Sequence, residues 1–175
     1  MRGKVVALHE ALGAAALPHA FGGALALAYY AEPRPTADID LNVFVPASDW
    51  PRLREVLAPL GAEAENGGPD EDGELRLRWD HQEVHVFFAT DPLHAAMADG
   101  LRELPCNGTV VPVVAPEHLL VRKAILDRDK DWADIAAILA ATEPLDRGEV
   151  ERWLEAMVGA GDPRLARLRE VVSRA

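Results

Sequence analysis

Cysteine is almost missing from this chain: Cys106 stands alone among 175 residues. A single thiol excludes a disulfide framework and any metal cluster built on several cysteines. Long apolar runs are also missing. Nothing approaches the roughly 20 consecutive apolar residues of a membrane-spanning helix, so no membrane partner is expected. Arg2 and Lys4 followed by apolar residues superficially suggest a secretion signal, but His9 and Glu10 interrupt the stretch. Its spacing is helical, and the chain is expected to work in the cytoplasm. Positive charge is in deficit: 18 Lys and Arg face 29 Asp and Glu, a formal charge of −11. That balance argues against broad non-specific attachment to a phosphate backbone, and a small-molecule or protein substrate is easier to accept. No Walker loop, Gly-x-Ser-x-Gly elbow or Ser/His/Asp order is present. His9-Glu10 starts like a zinc-protease helix, but Gly13 occupies the place of the second histidine.

What is there is enough for one sizeable core and a small helical appendage, with 49% hydrophobic residues. Val5, Leu8 and Leu12 have the spacing of an amphipathic helix that must stop before Pro18. A short strand is expected over 19–21, a helix over 24–30 and a strand over 38–45. Ser48 or Asp49 can cap a helix with Pro51 in its first turn and Leu53, Val56, Leu57 and Leu60 inward, and Gly61 ends it. Residues 66–73 form an acidic, turn-rich loop. Strands follow over 75–79 and 83–89, then a helix from Asp91-Pro92 to about Asp99 and a last strand over 109–114. Four helices complete the chain, over 116–127, 130–141, 149–158 and 163–174. Strands in the middle and helices at the end predict an α+β fold. Residues 1–115 are expected to form the α/β core and 116–175 a helical region packed on it.

The stretch 21–45 carries the chemistry. Gly22-Gly23 precede a helix and would let backbone N–H groups approach an anion. Asp38 and Asp40 are two apart on a strand, so both carboxylates project from one face while Ile39 and Leu41 point to the core. Adjacent ionised carboxylates repel, and a cation between them, usually Mg²⁺ with phosphate oxygens, relieves the conflict. Asn42 shares that face and could orient a ligand or hold a carboxylate. Arg34 and Thr36 could serve phosphate through a guanidinium fork and a hydroxyl, or anchor the loop, Arg34 pairing with Glu32 or Asp38.

Phe21-Gly22-Gly23 followed by Asp38-Ile39-Asp40-Leu41 resembles the nucleotidyltransferase superfamily typified by DNA polymerase β. The longer string Gly22-Gly23-Ala24 … Arg34-Pro35-Thr36-Ala37-Asp38-Ile39-Asp40 is similar to the AbiEii-like branch of toxin–antitoxin systems. The resemblance implies a nucleotidyltransferase-like mixed sheet flanked by helices, with a C-terminal helical bundle. It implies an NTP substrate, a Mg²⁺ cofactor on Asp38 and Asp40, and nucleotide contacts from Gly22, Gly23, Arg34 and Thr36. It also implies that Lys123 offsets charge on the leaving pyrophosphate, with Asp131 or Asp134 as the family's later aspartate. The acceptor is open between tRNA, protein and small molecule, and an antitoxin or other protein partner is implied. The chain departs from the pattern at the third carboxylate, where His85 stands. Imidazole is a weak Mg²⁺ ligand but suits a general base, and Glu83 could substitute if the register allows. Two readings therefore remain, an active transferase and an impaired nucleotide-binding or protein-interaction module. His81, His94 and His118 lack metal-ligand spacing and are expected at the surface, Trp50, Trp132 and Trp153 in packing, and Trp79 in packing or on a base.

Overall fold

A computed structural model describes residues 1–174, and the chain divides into two compact units. The first holds Met1–Leu25 and Pro35–Val114; the second holds Ala26–Arg34 and the chain from Ala115 onward. Residues 26–34 thus group with the later helices.

The first unit is built on one seven-stranded mixed sheet. Its strands are β1 (His19–Phe21), β2 (Asp38–Val43), β3 (Glu63–Ala64), β4 (Glu74–Trp79), β5 (Gln82–Phe88), β6 (Arg102–Cys106) and β7 (Thr109–Val113), in the order β3-β4-β5-β2-β1-β7-β6. β2 runs parallel to β5 and antiparallel to β1, and β1 runs parallel to β7. Alternation explains the central strands: Ile39, Leu41, Val84 and Val86 are fully buried, and Leu75 and Leu77 continue the same surface on β4. The helices α1 (Arg2–Ala14), α3 (Trp50–Leu57) and α4 (Pro92–Asp99) belong to this unit, and α2 (Gly23–Tyr30) begins in it. On α1, Val5, Leu8 and Leu12 are buried, one stripe of a 3.6-residue period.

Two strands were not expected. β6 contains Pro105, which reads as a strand breaker, but β6 lies at the sheet edge, where a missing N–H costs no ladder bond. Asn107 and Gly108, both at positive φ, close the β6–β7 hairpin; an Asn-Gly pair between extended segments is the signal that was available. β3 is only two residues long and pairs with β4. Asp49 precedes α3 without a side-chain capping bond, and a 3-10 turn over 58–60 ends at Gly61, φ 76°. The acidic loop is organised by Asp70, whose Oδ1 accepts from the N–H groups of Asp72 (3.1 Å) and Glu74 (2.8 Å).

The second unit contains α5 (Pro116–Leu126), α6 (Asp129–Ala141), α7 (Arg147–Val158) and α8 (Pro163–Arg174). Leu119, Leu120, Val121 and Ala124 of α5 are buried, as are Ile135 and Ile138 of α6, Val150 and Leu154 of α7, and Leu165 and Leu168 of α8. Asp146 caps α7 by accepting from Glu149 N–H (2.8 Å). No helix among the described residues is long and apolar enough to cross a membrane.

Candidate active site

The parallel pairing of β2 and β5 places Asp38 opposite Glu83 and Asp40 opposite His85. Because intervening residues turn to the core, these four side chains share the other face. His85 Nδ1 lies 4.0 Å from Asp40 Oδ1, and its Nε2 lies 3.4 Å from Glu83 Oε2. Nε2 is shielded from solvent and makes no hydrogen bond. Asp38, Glu83 and His85 each offer a ligand atom, all within 4.8 Å of one another. Clustered carboxylates with an unmatched imidazole nitrogen form a donor set that fits a divalent cation. The register answers what the sequence left open about Glu83: it stands beside Asp38.

Gly22 and Gly23 are required by the same strand. Gly23 has φ +54°, and a Cβ there would lie 1.6 Å from Asp40 Oδ2. The carboxylate therefore packs against the first residue of α2 in space only glycine leaves open. A Cβ on Gly22 would come within 2.9 Å of Asn42 Nδ2, and Gly22 N–H donates to the Asp40 carbonyl (2.9 Å). Asn42 is buried. Asp38 N–H donates to Thr36 Oγ1 at 3.3 Å, so the Thr36 hydroxyl helps to set the start of β2.

Arg34 and Lys123 lie in the second unit and meet on one carboxylate. Arg34 forks onto Asp134, Nε at 3.0 Å from Oδ1 and Nη2 at 3.0 Å from Oδ2. The Lys123 ammonium donates to Asp134 Oδ2 at 2.6 Å and lies 3.6 Å from Asp131. Lys123, Asp131 and Asp134 are buried. Burial pushes the Asp134 carboxyl up, but the hydrogen bonds and charges of Arg34 and Lys123 outweigh it and hold the group below its ordinary range. Arg128 pairs with Asp131 along α6, and Lys130 is exposed.

Two expectations about histidine are corrected. His94 and His118 are buried. His94 follows the Asp91 cap and lies 3.3 Å from its carboxylate; His118 sits among the apolar residues of α5, 3.4 Å from Glu149 and edge-on to Trp153. A histidine missed altogether is His19, whose Nε2 lies 3.0 Å from His9 Nδ1; desolvation lowers its pKa. Trp79 is capped by the Lys4 ammonium, 4.6 Å from the ring centroid.

Residues 7–173 match the family described as nucleotidyl transferase AbiEii toxin, type IV TA system. The chain belongs to this AbiEii family. Its fold is shared with solved nucleotidyltransferase structures at low identity. The antibiotic-resistance factor ANT(2'')-Ia aligns with TM-score 0.61 and 19% identity, over 99% of this chain and 98% of that one. An antigenic nucleotidyltransferase-like protein from Paracoccidioides brasiliensis aligns with TM-score 0.60 and 19% identity, over 97% and 92%. The lincosamide antibiotic adenylyltransferase LnuA aligns with TM-score 0.53 and 13% identity, over 75% and 91%. No curated protein matches the chain in sequence.

Two substitutions probe the two halves of this AbiEii-family chain. Gly23→Ala must strain a left-handed residue and displace Asp40; a loss of about 1–3 kcal/mol in urea denaturation is expected, and an unchanged midpoint would contradict the packing. Asp134→Asn takes the nearer carboxylate from the buried Lys123 ammonium and leaves it only Asp131, 3.6 Å away, a loss of roughly 2–4 kcal/mol. The folded-state pKa of Asp134 is depressed, so its contribution is complete above the ordinary carboxylate pKa of about 3.9 and fades as pH falls through the lowered value. Acid unfolding of the wild type should therefore show a slope below pH ~4 that the Asn variant lacks.

Proposed function

We propose that this chain is a divalent-metal-dependent nucleotidyltransferase that moves a nucleoside monophosphate from an NTP to a hydroxyl acceptor. The observation that carries the reading is the packing of Asp40 on Gly23 while Asp38 and Asp40 face Glu83 and His85. Asp38 and Asp40 would hold the cation, for which Mg²⁺ is the first candidate. When bound, it would neutralise triphosphate charge and make the acceptor hydroxyl easier to deprotonate. The acceptor oxygen attacks the α-phosphorus as the bond to the bridging oxygen breaks and pyrophosphate departs. His85 or Glu83 takes the hydroxyl proton. Gly22 and Gly23 leave room for phosphate beside the start of α2, and Thr36 supports Asp38. Lys123 would offset charge on pyrophosphate and Arg34 would serve phosphate, each with its motion limited by Asp134.

The acceptor is RNA such as tRNA, a protein side chain or a small molecule, the first two fitting a toxin-system role with an antitoxin partner in the cytoplasm. The fold shared with the adenylyltransferase LnuA and with a nucleotidyltransferase-like protein supports the chemistry class through fold alone. A second reading rests on His85. With an imidazole at the third acid position, the fold would bind nucleotide or a protein partner without turnover.

Purified protein incubated with each labelled NTP, Mg²⁺ or Mn²⁺ and cell extract separates the two. The enzyme reading expects label on an acceptor, and a loss of at least roughly 100-fold in Asp40→Asn. Nucleotide bound without transfer would support the module instead. Absence of any metal-dependent nucleotide binding would remove both.

A further inference from the structure

Position 85 alters the donor chemistry of this face. An all-carboxylate cluster offers oxygen only, which suits Mg²⁺ with its demand for near-octahedral oxygen ligands. Here the row across β2 and β5 offers three carboxylates and an imidazole, of which Asp38, Glu83 and His85 reach one another. Glu83 is oriented on both sides: Oε1 lies 3.6 Å from Arg78 Nη2, and Oε2 lies 3.4 Å from His85 Nε2. Arg78 also pairs with Glu65, so its charge is divided between two carboxylates and does not saturate Glu83. His85 Nε2 is shielded and makes no hydrogen bond, although Glu83 Oε2 lies only 3.4 Å away. A polar atom in that state carries an uncompensated desolvation cost, which a bound cation would offset.

We propose that Asp38, Glu83 and His85 form a mixed oxygen–nitrogen cation site selective for a first-row transition ion over Mg²⁺, Glu83 supplying the carboxylate that position 85 lacks. The mutual reach of their ligand atoms, within 4.8 Å, supports one ion held by all three. Imidazole favours borderline transition ions, whereas the two carboxylates alone would accept Mg²⁺ and Mn²⁺ alike. The ion bound on the β5 side is thus selected by the histidine. The proposal rests on the reading of Asp38 as a cation ligand made above; it adds the ligand set and the ion's class, and with the imidazole on the ion it leaves the acceptor proton to the second oxygen of Glu83.

Mn²⁺ is the probe. Binding of Mn²⁺ alone to the intact protein, in nitrogen-free buffer, is followed by electron paramagnetic resonance and displaced with Mg²⁺. Pulsed spectra should show coupling to an imidazole nitrogen that changes isotope when histidine is ¹⁵N-labelled, a readout that needs no variant. His85→Asp should abolish the coupling and lower the preference for Mn²⁺ over Mg²⁺ roughly tenfold. Mn²⁺ bound with no nitrogen coupling, and a preference unchanged in His85→Asp, would overturn the proposal while leaving an oxygen-only site and the transferase reading intact. Failure to bind any ion, alone or with a non-hydrolysable NTP, would overturn both.

Discussion

The repulsion among negative charges on one face of β2 and β5 is the constraint from which the rest of the first unit follows. Asp38 and Asp40 project together because strands alternate, and parallel pairing brings Glu83 and His85 alongside. Folding alone gains nothing from gathering three carboxylates, since like charges at such distances destabilise one another. The surrounding residues nevertheless hold the arrangement. Ile39, Leu41, Val84 and Val86 anchor both strands in the core, and Gly23 gives up a side chain and an ordinary φ so that Asp40 can pack against it. An electrostatic liability maintained at this structural cost is expected where a ligand relieves it.

The second unit handles charge in the opposite way. Asp134 receives two cations from different parts of the chain, Arg34 from the end of the segment 26–34 and Lys123 from α5. There the charges are matched within the fold, and the carboxyl stays ionised despite burial. Removing one member of such a set costs far more than the set contributes as a whole, because the remaining charge is stranded. Arg34 and Lys123 are thus held in place by the Asp134 carboxylate.

The motif segments were legible because their signals are local. Gly-Gly before an apolar helix, an Asp-x-Asp on an alternating strand and prolines that end α1 and α2 all act over a few residues. Helices α5 to α8 likewise follow from apolar spacing, with Pro116 and Pro163 opening α5 and α8. The long-range pairings were not legible. Nothing in 82–88 states that Glu83 meets Asp38 and not its neighbour, because parallel register is set by the whole sheet. The Arg34–Asp134 fork spans 100 positions, so the local partners Glu32 and Asp38 were the natural alternatives. Buried His94 and His118 look polar in sequence, and only the packing of α4 and α5 removes them from solvent. β6 was obscured by Pro105, although the Asn107-Gly108 turn was in view.

Diffraction from crystals grown with a non-hydrolysable NTP and Mn²⁺, recorded at the manganese absorption edge, tests the central claim most directly. An anomalous peak bridging the Asp38 and Asp40 carboxylates at about 2.0–2.2 Å from their oxygens, with the triphosphate beside Gly22 and Gly23, is the predicted result. Nucleotide bound elsewhere, or a face where Asp38 and Asp40 turn apart and hold no ion at full occupancy of the NTP, would contradict it.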